Sequence, residues 1–336
     1  GDARVNGLFQ FGGIGTEWPL LGPAYGANFA VNPRDGQQLA ISSASGRVYK
    51  QDRASDPFTA WFQIGDPAVF GGSQSFALAY GAAAPDPDPN DSQQPDDILY
   101  VGTSVGANAG SIFVTFTEGG FNATDWFDIS VGLDGSSVRQ IVANLKEGSK
   151  EAFAVTFNGV FHLPDSEAAV NDVLDPLGNG TNDDAPWIDI TGNLFQIMNT
   201  LYPGWNADNP AVDDTIPRLL RTIQVDDRYQ IPDSAGVNCA VAGASCHPLI
   251  YVGGDAGVYR SFDLGQTWDQ YPSVNIDNAT LQGGYLPNAI VSDLDLATGP
   301  YDSVTGLTDF TQSLDILSAA TFGRGTFAIR TSPLVL

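Results

Sequence analysis

Residues 249–271 read LIYVGGDAGVYRSFDLGQTWDQY and contain a complete pattern of strands and turns. An apolar run at 249–255 is followed by a second strand-like run at 257–262, which begins with a glycine. A polar turn with Asp, Gly and Thr then leads to Trp268 and a short alternation of apolar and polar residues. Short apolar or alternating runs separated by glycine turns predict antiparallel strands.

The same pattern recurs five times along the chain, and a fixed recurrence of this kind is the signature of a repeat architecture. First strands are predicted at 27–33, 75–80, 138–144, 219–225 and 289–296. Second strands are predicted at 38–44, 98–104, 152–158, 249–255 and 315–322, and third strands at 46–51, 110–116, 159–164, 257–262 and 325–330. Fourth strands follow Trp18, Trp61, Trp126, Trp187 and Trp268. Four antiparallel strands per unit form the blade of a β-propeller, so we expect an all-β propeller.

The order of the pieces predicts how the ring closes. The strand near Trp18 has no three strands before it, and the three strands in 289–330 have no tryptophan strand after them. We therefore expect residues 1–336 to form one five-bladed domain, in which the N-terminal strand completes the last blade and removes its free edge. The alternative is a fragment of a longer propeller, with residues 1–26 belonging to a preceding blade.

Four insertions interrupt the pattern, at 82–97, 166–185, 191–217 and 227–247. The insertion at 191–217 lies between blades, and its LFQIMNTLY part is a candidate for a short helix. In a propeller, connections between blades share a face with those between second and third strands. We therefore expect 191–217 to overhang one mouth of the ring and the other three insertions to lie on the opposite face.

The turn SFDLGQTW, from Ser261 to Trp268, fits the pattern S/T-x-D-x-G-x-x-W. Partial copies keep Thr115, Gly119 and Trp126 in one blade, and ASDPFTAW keeps its Asp and Trp in another. The chain thereby resembles the Asp-box, or bacterial-neuraminidase-type repeat, superfamily of propellers. That superfamily includes sialidases, sortilin-like receptors, xyloglucan-degrading glycosidases and photosystem assembly factors.

The resemblance implies a structural role for Ser261, Asp263, Gly265 and Trp268. An Asp in such a turn accepts backbone N–H bonds, a Gly permits a positive φ, and a Trp plugs the hairpin. The resemblance also places this turn opposite the mouth that propeller enzymes of this type use.

The charge balance limits the partners. Asp and Glu number 39 against 14 Lys and Arg, for a net charge of −25, and only 5 of the acids are Glu. Such a surface repels nucleic acid and attracts hard cations such as Ca²⁺, although a saline habitat would favour the same acidity. Two acidic segments are candidates for a structural Ca²⁺ site, and ordinary solvation of a loop is the alternative for both. The oxygen ligands would be Asp86, Asp88 and Asn90 in the first segment, and Asp175, Asn179, Asn182 and Asp183 in the second.

The two cysteines, Cys239 and Cys246, are too far apart for a C-x-x-C motif and predict a local disulfide, with a reduced pair as the alternative. A disulfide is typical of an oxidising compartment, so we expect an extracellular, cell-surface or periplasmic protein. We do not expect the N-terminal GDARVNG to act as a signal peptide, and if the protein is secreted we expect its signal to have been removed. No apolar run is long enough to span a membrane.

The sequence contains candidate catalytic residues but no complete catalytic motif. Sialidase activity is disfavoured because the F/Y-R-I-P motif is missing. Glycosidases that use two carboxylates remain an option, and the candidates are Asp255, Asp293 and Asp295, near the ends or in the interior of predicted strands. For each, an Asp that bonds a neighbouring turn is the competing interpretation.

The propeller mouth is the better candidate for binding. Arg324 lies in one of the glycine turns, and Tyr202, Trp205 and Arg218 lie in or next to the 191–217 insertion. Aromatic and Arg side chains on projecting loops suit sugar stacking or peptide contact, although Trp205 could instead anchor its own loop.

We therefore favour a non-catalytic extracellular propeller for binding or assembly, whose partner is a protein or a glycan at the mouth. A glycoside hydrolase acting on a polysaccharide is the alternative, and an assembly factor for a membrane complex is a third class. Membership of an oligomer or a larger assembly is compatible with all three, because propellers host many functions.

Overall fold

The structure is a computed structural model, and it describes residues 28–32, 38–43, 45–52, 60–81, 98–117, 119–122, 125–146, 148–174, 186–201, 219–234, 237–239, 245–255, 257–272, 289–298, 301–302, 307–308 and 315–331. The chain divides into two compact units, which we describe separately. Unit 1 comprises Gly1–Ala152 and Leu163–Ile188, and unit 2 comprises Phe153–His162 and Asp189–Leu336.

Two four-stranded antiparallel sheets lie in unit 1, and in each the strands follow one another in chain order. The first sheet consists of β1 (Phe29–Val31), β2 (Leu39–Ser42), β3 (Val48–Gln51) and β4 (Phe62–Gly65). The second consists of β5 (Gln74–Tyr80), β6 (Leu99–Val105), β7 (Ile112–Thr115) and β8 (Phe127–Asp128). Hydrophobic side chains of both sheets, together with Phe70 and Trp126, form one buried core.

A third four-stranded sheet has the order β12-β11-β10-β9. Its strands are β9 (Val138–Ala143), β10 (Ala152–Thr156), β11 (Val160–Leu163) and β12 (Ile188–Asp189). Every residue of β10 and β11 is buried, which shows that both faces of these strands are covered. Helix α1 (Ser166–Leu174) follows β11, within the 166–185 insertion. Asp165 caps it by accepting hydrogen bonds from the backbone N–H groups of Glu167 and Ala168, at 2.8 and 3.1 Å.

Unit 2 contains a fourth four-stranded sheet, formed by β13 (Leu220–Pro232), β14 (Cys246–Gly254), β15 (Gly257–Ser261) and β16 (Asp269–Tyr271). A three-stranded sheet follows, with β17 (Val291–Ala297), β20 (Ile316–Thr321) and β21 (Gly325–Arg330). The short pair β18 (Tyr301–Asp302) and β19 (Leu307–Thr308) lies between them in sequence. Apolar side chains of the two larger sheets pack into a second core.

These sheets confirm the predicted fold class, an all-β propeller built from successive four-stranded antiparallel sheets. Each predicted triplet of strands is present, and a short strand directly follows Trp61, Trp126, Trp187 and Trp268. The strand predicted near Trp18 lies outside the described residues, so the proposed closure of the last blade stays a prediction. Helix α2 (Leu194–Leu201) confirms the short helix predicted in LFQIMNTLY.

The insertion predicted at 227–247 is shorter in the structure, because the strands on both sides of it are longer than predicted. Strand β13 continues to Pro232 and β14 begins at Cys246, so the two strands extend into the insertion as a long hairpin, with an irregularity between Asp226 and Ile231. Near the end of this hairpin, Cys239 and Cys246 form the predicted disulfide, with their Cα atoms 5.9 Å apart. Neither described helix is long and apolar enough to cross a membrane.

Candidate functional site

Three turns lie along one end of unit 2, and each joins the second and third strands of a sheet. Backbone hydrogen bonds fix these turns beside first strands: Leu220 N to Phe157 O at 3.0 Å, Asp255 N to Leu219 O at 3.0 Å, and Phe322 N to Ile290 O at 2.8 Å. We call this surface the turn face and define it by Phe157, Asn158, Arg221, Asp255, Phe322 and Arg324.

The β20–β21 turn presents the most exposed large apolar side chain in the described part of the chain. Phe322 is 77% exposed, and Arg324, two residues further on, is exposed as well. Gly323 between them has φ +75°, in the left-handed region that glycine adopts most readily. The Thr321 hydroxyl donates a 2.6 Å hydrogen bond to the Gly325 carbonyl and closes the base of the turn. An aromatic ring and a guanidinium group are therefore held in solvent on a short, closed turn.

The predicted catalytic candidate Asp255 is held in an ion pair on the same face. Its Oδ1 accepts hydrogen bonds from Nε and Nη2 of Arg221, at 2.9 and 2.7 Å. Its Oδ2 accepts a third from the backbone N–H of Leu219, at 3.0 Å. Three N–H donors therefore bind this carboxylate. This is typical of an aspartate that holds a turn in place, and it does not favour one that transfers a proton.

The other two candidates, Asp293 and Asp295, lie on β17 with their side chains exposed on one face, because buried Leu294 separates them. The Asp293 side chain is exposed, but nearby protein atoms partly desolvate its carboxyl group, and this desolvation raises the pKa of Asp293 above its ordinary value. Neighbouring Asp295 raises this pKa further, while hydrogen bonds from Leu294 and Thr222 oppose the rise. Residues two apart on a strand have Cα atoms about 6–7 Å apart, so these two carboxylates share one small area.

The Ser261–Trp268 turn joins β15 and β16, at the opposite end of these strands from the turn face. Ser261 Oγ accepts a hydrogen bond from Gly265 N at 2.8 Å and donates one to Asp263 Oδ1 at 2.9 Å. Thr267 donates to Asp263 from both its backbone N–H and its hydroxyl, at 2.8 and 2.6 Å. Burial alone would raise the pKa of Asp263, but these donors, together with the nearby His247, lower it.

Trp268 is buried beneath this turn. Its Nε1 donates to the carbonyl oxygen of Ile190 at 3.1 Å, and its backbone N–H donates to Asn193 Oδ1 at 2.8 Å. The polar groups of the turn are thus occupied by internal hydrogen bonds, which suits a structural element and leaves little to contact a ligand.

A turn in unit 1 uses the same contacts without the aspartate. Thr115 Oγ1 accepts a hydrogen bond from Gly119 N at 3.0 Å, as Ser261 does from Gly265. Trp126 Nε1 donates to the carbonyl of Ile64 at 2.9 Å. The partial copy of the motif at 115–126 therefore retains the serine-like hydroxyl and the tryptophan contact.

Several predicted site residues lie outside the described residues. They are the ligand candidates Tyr202, Trp205 and Arg218 and the calcium candidates Asp86, Asp88, Asn90, Asp175, Asn179, Asn182 and Asp183. Across the described residues, no three His, Cys, Asp or Glu side chains come together as a metal site. A calcium site in either acidic segment therefore stays a prediction.

Sequence reasoning missed Phe322. The run TFGRGTF predicts a glycine turn that lines the propeller mouth, and this placement makes Arg324 a binding candidate. A phenylalanine next to a strand is ordinarily assigned to the core, and only the structure shows its ring exposed.

Comparison with known proteins gives structural likeness only. No family model matches the sequence, and no curated protein matches it. A GH74 xyloglucanase from Xanthomonas campestris is similar at 14% identity and a TM-score of 0.48, over 90% of this chain and 36% of the enzyme. YCF48 from Cyanidioschyzon merolae is similar at 9% identity and a TM-score of 0.44, over 93% of this chain and 72% of YCF48. Sqt1 from Saccharomyces cerevisiae is similar at 9% identity and a TM-score of 0.39, over 93% of this chain and 74% of Sqt1.

The chain thus spans only about a third of the xyloglucanase, and all three TM-scores are below 0.5.

Proposed function

We propose that this protein is a binding propeller that contacts a segment of a partner polypeptide through the turn face. The observation that carries the proposal is the 77% exposure of Phe322 beside exposed Arg324. Burying a phenylalanine ring contributes about 1.5–3 kcal/mol, and aromatic and Arg side chains are enriched among residues that dominate protein interfaces.

The chemistry of the face favours a partner segment with an apolar side chain next to a carboxylate. Phe322 would contact the apolar group, and Arg324 would pair with the carboxylate. Arg221 is already engaged by Asp255, so Arg324 is the guanidinium of this face that a partner would meet. Because the protein carries a net charge of −25, a partner with basic residues around such a segment would be attracted at long range.

The disulfide between Cys239 and Cys246 supports a location in an oxidising compartment, such as the cell surface or the periplasm. We therefore place the proposed binding outside the cytoplasm.

Selection from a random peptide display library on the immobilised full chain tests this function. We expect recovered peptides to share an apolar residue beside Asp or Glu, and to lose binding to Phe322→Ser and Arg324→Ala variants. Phe121→Ser is the matched control, because Phe121 is 55% exposed on a turn of unit 1. Peptides that bind all three variants equally would show that the turn face is not the site.

A second candidate function, glycoside hydrolysis, is favoured by Asp293 and Asp295. A carboxyl group with a raised pKa beside a second carboxylate is the arrangement from which glycosidases draw an acid and its partner. Reducing-sugar release from a panel of polysaccharides, xyloglucan included, tests this function. Turnover that is lost in both Asp293→Asn and Asp295→Asn, but kept in the exposed control Asp269→Asn, would support it. Absence of turnover on every substrate would count against it.

A further inference from the structure

Among the described residues, Arg260 is a buried arginine without an acidic partner. On β15 in unit 2 it is 8% exposed, and its Nε has no hydrogen-bond partner. Within the described part of the chain it forms no ion pair. Arginine is almost never buried unless it is paired, because an unpaired charge loses its hydration without compensation. We propose that Arg260 forms, with Tyr251, a binding site for a small organic carboxylate.

The strand register brings Arg260 and Tyr251 together. Tyr251 on β14 is the direct cross-strand partner of Arg260, so the two side chains leave the same face of the sheet. Directly opposite residues of an antiparallel pair have Cβ atoms about 4.5–5.5 Å apart. The guanidinium and phenol groups can therefore address one ligand.

Two aromatic rings flank the guanidinium. Its Cζ lies 4.4 Å from the ring centroid of Phe262 and 4.4 Å from that of Tyr271. Contacts of this kind stabilise the cation, but they use its faces and provide no hydrogen-bond acceptor for Nε at its edge. A planar acceptor that approaches in the plane of the guanidinium would satisfy the unpartnered Nε.

Tyr251 supplies a second unsatisfied donor. Its hydroxyl is buried and has no hydrogen-bond partner in the structure. Burial also raises the pKa of this phenol well above its ordinary value, so the hydroxyl stays protonated and can donate a hydrogen bond. Two buried donors, one of them cationic, select an anion over a neutral ligand.

A carboxylate fits this donor set better than other anions. Its two oxygens match the parallel N–H groups of an arginine, and one oxygen can also accept the hydrogen bond from Tyr251. The rings of Phe262 and Tyr271, and the apolar core around Tyr251, suit a flat apolar substituent on the carboxylate. Aryl carboxylates are therefore the class that we assign to the site.

Calorimetric titration of the full chain with sodium benzoate tests the assignment, with uncharged benzamide and sodium phosphate as comparison ligands. We expect one benzoate to bind per chain. Benzamide should bind at least about tenfold more weakly, because it lacks the charge that strengthens a hydrogen bond to Arg260. Phosphate should also bind at least about tenfold more weakly, because it lacks a ring to contact Phe262 and Tyr271. Arg260→Met should weaken benzoate binding at least about tenfold, and Tyr251→Phe should weaken it by a smaller factor. Arg139→Met, which alters an arginine lying 4.3 Å from the Phe76 ring in unit 1, should leave it unchanged.

Absence of benzoate binding, or binding that Arg260→Met leaves unchanged, would overturn the assignment. Equal binding of benzamide would show an apolar cavity in place of an anion site, and tighter binding of phosphate would exclude a carboxylate as the preferred ligand. If Arg260→Met fails to fold by circular dichroism, the benzoate–benzamide comparison and the Tyr251→Phe variant still decide the question.

Discussion

The indole Nε1 of Trp268 donates a hydrogen bond to the carbonyl oxygen of Ile190, 3.1 Å away. This contact joins the hairpin between β15 and β16 to the end of β12, the last strand of the preceding sheet. In unit 1, Trp126 makes the same contact with Ile64 at 2.9 Å. At these two positions, a tryptophan at the start of a fourth strand therefore connects one sheet to the next.

The Trp268–Ile190 contact requires the backbone at Gly265 to lie close to Ile190. We therefore predict a large loss of stability for Gly265→Ala. Gly265 has φ +78°, and a Cβ there would overlap the Ile190 carbonyl oxygen. We expect Gly265→Ala to destabilise the protein by more than about 2 kcal/mol, from backbone strain plus displacement of the preceding sheet. Equilibrium denaturation followed by tryptophan fluorescence measures the change.

Gly323→Ala is the matched control for that variant. Gly323 has nearly the same backbone conformation, with φ +75°, but nothing lies within 4 Å of the place that a Cβ would occupy. We expect it to cost only about 1 kcal/mol, the price of a left-handed alanine. Equal losses in the two variants would show that the sheet contact at Gly265 contributes nothing.

The strands were predictable because each is specified locally, by a short apolar run that ends at a glycine or a tryptophan. The long hairpin of β13 and β14 was not, because RYQIP and CHPL lack a clear alternation and their pairing depends on register across many residues. Trp187 shows a further limit. It occupies the expected position, yet its buried Nε1 has no partner in the structure, unlike Nε1 of Trp126 and Trp268.

The candidate sites were less predictable than the fold. Arg324 could be selected from a glycine turn, whereas the exposure of Phe322 and the burial of Arg260 both contradict the usual preference of the residue type. Strand register decides which face of a strand an isolated arginine such as Arg260 occupies. Packing between sheets decides which aromatic side chain, such as Phe322, remains exposed. Neither property is encoded in a short motif.

Asp263 is expected to stabilise the protein in a pH-dependent way. Its folded-state pKa is lowered from the ordinary 3.8, so its contribution is fully present above pH 4 to 5 and is lost as the pH falls through the lower folded-state value. Asp263→Asn should therefore lower Tm at pH 7, by an amount that corresponds to about 1 kcal/mol, and lower it less near pH 2. Thermal unfolding of both proteins from pH 2 to pH 7 measures the difference. A deficit that does not change with pH would show that ionisation of Asp263 is not involved.

Asp293 should give the opposite pH dependence. Because its folded-state pKa is raised, folding favours the protonated carboxyl, and ionisation of Asp293 destabilises the protein once the pH exceeds the ordinary value of 3.8. We expect Asp293→Asn to raise Tm at pH 7 and to leave it nearly unchanged at pH 3. Asp295→Asn should also raise Tm at pH 7, since it removes the neighbouring negative charge. A lower Tm for Asp293→Asn at pH 7 would contradict the raised pKa.

A buried ion pair on β13 should be far more sensitive to substitution than either of these exposed aspartates. The side chains of Asp226 and Arg228 are 0% and 3% exposed, and Nε and Nη2 of Arg228 each bond one oxygen of Asp226, at 2.7 and 2.6 Å. Arg228 Nη1 also pairs with Asp315, which precedes β20, so the arginine joins two sheets of unit 2.

Removing one partner leaves the other charge buried. We expect Asp226→Asn to destabilise the protein by about 3–5 kcal/mol in urea denaturation at pH 7. Asp315→Asn should cost less, because the Asp315 side chain is 23% exposed and Arg228 keeps both bonds to Asp226. Asparagine also tolerates the positive φ of +47° at position 315, so the comparison isolates the charge. A larger loss for Asp315→Asn than for Asp226→Asn would show that the link between the sheets, and not the buried pair, dominates.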